Sequence, residues 1–78
     1  MNAMKDISDM LFAESQRMGG DSSRAMAAFS AHVARSTDVH AAYAEFVRTP
    51  AFESMGLLSK VFFAIHINGV AARARRSA

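Results

Sequence analysis

Three histidines, His32, His40 and His66, are the side chains best suited to chemistry in this chain, and their spacing gives them little to share. Imidazole binds metals and moves protons near neutral pH. Helical metal sites set a second ligand one turn away, as paired histidines four apart or as Glu-x-x-His. Neither pattern occurs here. His32 and His40 are separated by a break in the hydrophobic pattern, and His66 is remote from both. A cluster completed by Glu14 or Glu45 would depend wholly on the fold. The residues themselves point to surface histidines at 32 and 40 and a partly buried, hydrogen-bonded imidazole at 66. No metal site is expected.

Nucleophilic and phosphate chemistry fare no better. Serines are plentiful, but none sits in a Gly-x-Ser-x-Gly elbow. Gly19-Gly20 is followed by Asp21, a negative charge where a phosphate would lie. The chain has no cysteine, which removes disulfides and thiolate ligands together. We expect no catalytic residue, no cofactor and no enzyme.

The arginines offer a different chemistry. Arg73, Arg75 and Arg76 can attract phosphates, and residues 57–78 hold four Lys/Arg and no acid, against five Lys/Arg and seven Asp/Glu in residues 1–56. Cations near a helix C-terminus also complement its dipole, which gives the same residues a structural reason to be there. No aromatic residue alternates with them, so stacking on single-stranded nucleic acid is not indicated. A helix-turn-helix laid on residues 24–48 lacks the usual turn glycine and sets Asp38 and Glu45 on the face meant for DNA. Nucleic acid, met through the basic tail or a degenerate helix-turn-helix, is therefore the second reading of function.

The elements that carry these residues read as helices. Met4, Ile7, Leu11 and Met18 form one stripe over residues 3–18, with Asn2 or Asp6 as cap and the glycine pair as terminator. Asp21-Ser22-Ser23 offers caps for a second helix over about 22–35, with Met26, Phe29 and Val33 on one face and small alanines beside them. Ser36-Thr37-Asp38 interrupts the pattern. Val39, Ala42, Tyr43, Phe46 and Val47 make a third stripe, which ends at Thr49 because the residue before Pro50 leaves helical geometry. Thr49-Pro50 opens a short turn to Met55.

Leu57 to Val70 is apolar nearly all round. As a helix it sets Leu58, Val61, Phe62, Ile65 and Gly69 on one side; as a strand it alternates and ends in an Asn68-Gly69 turn. No second strand exists for it to pair with, so the helix is preferred, and the competing α+β fold pairs the strand with its copy in a dimer. The expected fold is thus all-α, one domain of three to four helices over residues 1–78, with the apolar C-terminal helix central and residues 71–78 as a basic tail.

Size and composition turn this into a functional expectation. A 78-residue chain buries a modest share of its surface, and without disulfides or metal it gains stability most readily by association. Hydrophobic residues make up 51% of it, including six Met and six Phe. Phe12 lies off the first stripe, on a face shared with Ser8 and Ser15, and Phe52, Phe63 and Ile67 add further apolar bulk. These four are the expected partner contacts of a non-enzymatic adaptor or inhibitor that occupies a protein surface as a homodimer. The N-terminus lacks a signal-peptide pattern, and the longest apolar run, Val61 to Ile65, is far below the ~20 residues that cross a bilayer. A cytoplasmic setting without membrane contact is expected, and high Ala and Arg usage suggests a bacterial or phage origin.

Overall fold

A computed structural model describes residues 3–77. Among them the chain forms five helices and no strand: α1 (Ala3–Ser15), α2 (Gly20–Ala34), α3 (Val39–Phe46), the single turn α4 (Pro50–Glu53) and α5 (Leu57–Ser77). The protein is a small all-α bundle. α1 packs mainly along α2, α3 packs on α2, and α5 lies against both α1 and α2. At 21 residues α5 is about 31 Å long, close to the 35 Å long dimension of the molecule.

Local chemistry explains the boundaries. α1 ends at Ser15, earlier than the stripe through Met18 suggests, and three i→i+3 bonds from Gln16, Arg17 and Met18 tighten the chain beyond it. Ser23 of α2 donates its hydroxyl to the Ser15 carbonyl (2.8 Å), so that terminal acceptor is satisfied from the next helix. The glycine pair acts one step later than expected: Gly20, at φ +61°, opens α2, whose N-cap is Gly19 and not Asp21, Ser22 or Ser23. Asp6 lies inside the first turn of α1, and Asn2 is outside the described residues.

Asp38 caps α3 by accepting the His40 amide (3.2 Å). Thr49 stands at the N-cap of α4, but its hydroxyl donates back to the Phe46 carbonyl (2.7 Å). The segment after Gly56 is helical throughout, so the strand alternative is overturned. With no strand to pair with, only a helix satisfies its backbone within the chain. The helix also continues through the basic residues. What sequence reading took for a tail at 71–78 forms the last turns of α5 as far as Ser77.

An aromatic cluster fills the centre. Phe63 of α5 has four rings around it: Phe46 stacked at 5.6 Å, Phe29 at 5.7 Å, Phe52 at 5.8 Å and Tyr43 at 6.4 Å. Leu11, Met26, Val33, Met55, Ile67 and Val70 close the core around them. Ser8 ties α1 to α2 by donating to the buried Ser30 carbonyl (2.7 Å). Among the described residues no buried side-chain polar atom lacks a partner.

Candidate interaction surface

α5 is apolar on two opposite faces, and only one of them is used. Phe63, Ile67 and Val70, spaced i, i+4 and i+7, point into the core. Leu57, Leu58, Val61, Phe62 and Ile65 lie on the other side and are between 48% and 79% exposed. The sequence sets Leu58, Val61, Phe62 and Ile65 on one side of the helix, and the structure turns that side outward. The cause is the polar flank. His66 and Arg73 sit beside the Phe63–Val70 row, and both reach Glu14 of α1. With apolar residues on both faces, that buried carboxylate and the ring cluster at Phe63 decide which face turns inward.

Among the described residues Glu14 is the one buried acidic side chain. His66 donates from Nδ1 to its Oε2, Arg73 donates from Nη2 to its Oε1 (3.4 Å), and Arg17 approaches the same oxygen at 4.0 Å. The hydrogen bond from His66 holds the Glu14 carboxyl below the usual carboxylate range, against the opposing effect of burial and with help from the charges of His66, Arg73 and Arg17. His32 is paired as well, with Glu45 across α2 and α3 (3.0 Å), while His40 is exposed. Among the described residues no group of three or more His, Asp and Glu is arranged to hold a metal ion.

The expected contact residues divide. Phe12 is 52% exposed. It shares its flank with Ser8 and Ser15, turned toward α2, while α5 meets the Glu14 flank of α1. Phe12 and the α5 face are therefore separate exposures. Phe63 and Ile67 are corrected to core residues, at 0% and 7% exposure, because the ring cluster and the inward row of α5 enclose them. Phe52 is half-buried at the edge of the same cluster, with Lys60 over its ring at 5.3 Å. Leu58, Val61, Phe62 and Ile65, which were not among the expected contacts, are the exposed ones.

The three arginines do not form one patch. Arg73 is engaged with Glu14, and at 100° per residue Arg75 and Arg76 leave the helix in different directions. Arg75 borders an open groove of about 760 Å³ between α1, α3 and α5. Its floor is apolar, built from Ile7, Met10, Val39, Tyr43 and Ile67, and its rim carries Asp6, Asp38 and His40. The exposed side of α3 presents His40, Ala41, Ala44 and Glu45, with Arg48 just beyond its end, a face of mixed charge. No described helix is long and apolar enough to cross a membrane. No protein-family model, curated protein or solved structure matches this chain.

Proposed function

We propose that this chain is a non-enzymatic protein-binding module, a small adaptor or inhibitor that works as a homodimer and acts by occupying the surface of a partner protein. The observation that carries this reading is the outward face of α5. Its five large side chains expose roughly 500 Å², taking each at about 150–200 Å² when free. The largest apolar patch of a typical monomer is about 300–600 Å² and is often functional. Such a face has no role in the chain's own packing, and the cation that continues its line is Arg76, towards the end of the helix. The Ala- and Arg-rich composition supports a bacterial or phage setting, in the cytoplasm. Of the groups with proton-transfer chemistry, Glu14 and His66 join α1 to α5, and His32 pairs with Glu45. The arginines of the nucleic-acid reading are dispersed, so no observation favours it.

Affinity capture from the native host with a tagged chain tests the reading. A partner held by the wild type and by Arg75→Ala/Arg76→Ala, and lost with Phe62→Asp, supports it. A partner whose capture ignores Phe62→Asp, or a nucleic acid lost with the arginine changes, overturns it.

A further inference from the structure

The proposed function leaves open what covers the outward face of α5. Leu58, Val61, Phe62, Ile65 and Gly69 fall at i, i+3, i+4, i+7 and i+11, one straight seam along a single helix. Gly69 is out of place by the needs of its own chain. It lies inside α5 and has no positive φ, and a Cβ built on it meets nothing within 4 Å. Glycine in a helix interior is unfavourable relative to alanine, so a position where alanine would fit freely gains from glycine only through something outside the chain. On a helix face that something is a close neighbour.

Resting on the homodimer of that reading, we propose that this face is the seam between its two copies, packed with α5 antiparallel to α5 about a dyad between Ala64 and Phe63. In that register Leu58, the second most exposed large side chain at 71%, stands opposite Gly69 of the other copy, and Phe62 stands opposite Ile65. The most exposed side chain of the seam meets its one position without a side chain, twice, by symmetry. A two-fold seam is self-complementary and closes on itself, so it ends at two copies. Two such faces bury roughly 1,000 Å² in these side chains alone, and the residues flanking them bring the total into the standard range of about 1,200–2,000 Å². Charge fixes the direction. Arg76 continues the seam seven residues beyond Gly69 on a helix with no acid in it, so parallel pairing would set the two Arg76 side chains together, while antiparallel pairing sends them to opposite ends.

The chain has no cysteine, so single introduced thiols report the register without interference. In the antiparallel seam the two copies of residue 65 are offset by about 4.5 Å along the helices, and those of residue 58 by about 16 Å. With a short bifunctional thiol cross-linker, Ile65→Cys is expected to link to its own copy at least tenfold faster than Leu58→Cys. A mixture of Leu58→Cys and Gly69→Cys chains is expected to yield the mixed product. Equal linking at 58 and 65 indicates a parallel seam, and a dimer that links at neither position pairs through another surface; both overturn the proposal. So does a chain that stays monomeric, whether a foreign protein or a lipid vesicle then takes the face. The assay uses the purified chain alone, so its failure is distinct from failure of the wider reading, in which partner capture survives Phe62→Asp.

Discussion

The two faces of α5 are built from the same kinds of side chain and meet opposite fates. Phe63, Ile67 and Val70 are enclosed, while Leu58, Val61, Phe62 and Ile65 stand in solvent. Phe62 and Phe63 are adjacent in sequence and chemically identical, yet one is 53% exposed and the other fully buried. Hydrophobicity alone therefore does not choose the inner face of a helix that is apolar all round. The choice falls to whatever breaks the symmetry, here Glu14 drawing His66 and Arg73 to one flank and the ring cluster receiving Phe63. The inner face holds the fold together; the outer face is free for association.

The contrast is broken most directly by truncating one ring at a time. Phe63→Ala removes the hub of the aromatic cluster and is expected to destabilise the fold by about 3–5 kcal/mol, a large share of the stability of so small a domain. Phe62→Ala, measured by urea denaturation in the monomeric state, is expected to change stability by less than about 1 kcal/mol. Equal losses at the two positions would mean the faces are not distinct.

Glu14 tests what breaks the symmetry. Glu14→Gln leaves His66 and Arg73 facing a neutral amide and is expected to lower stability by about 1–3 kcal/mol near neutral pH. Its carboxyl is held below its ordinary range in the folded state. Its contribution is thus fully present above the unfolded-state value of about 4.3 and is lost as pH falls through the lower folded-state value. Denaturation midpoints followed from pH 7 downward are expected to drop below about pH 4 in the wild type, and Glu14→Gln is expected to flatten part of that drop. A variant as acid-sensitive as the wild type would remove Glu14 from this role.

Smaller effects sharpen the picture. Asp38→Ala deletes the cap of α3 and is expected to cost about 1 kcal/mol, read as a shift in the urea midpoint. Gly69→Ala is expected to raise the stability of the monomeric fold by up to about 1 kcal/mol, because the added methyl meets nothing and favours helix. The same change is expected to weaken self-association. A gain in both would show that Gly69 is not part of the seam.

Much of the fold is legible in the sequence because its punctuation is local. Gly19-Gly20, Ser36-Thr37-Asp38, Thr49-Pro50 and Gly56 each fall at a junction between helices, and each acts through the backbone of its immediate neighbours. Phe12 could be recognised as exposed because it falls off a stripe that is otherwise clear. The orientation of α5 was not legible, since its period gives two apolar faces and no tie-breaker within the helix. The tie-breaker lies 52 residues away at Glu14, and only the packed bundle brings it to His66. The same distance hid the core role of Phe63 and Ile67, which sequence reasoning placed on the surface.

Light scattering on the purified wild type and Phe62→Asp, over a concentration series, tests most directly whether the outer face of α5 is an association surface. The wild type is expected at twice 8.4 kDa and Phe62→Asp at 8.4 kDa, both with unchanged helix content. A wild type that remains at 8.4 kDa at every concentration, or a Phe62→Asp variant that dimerises as the wild type does, would contradict it.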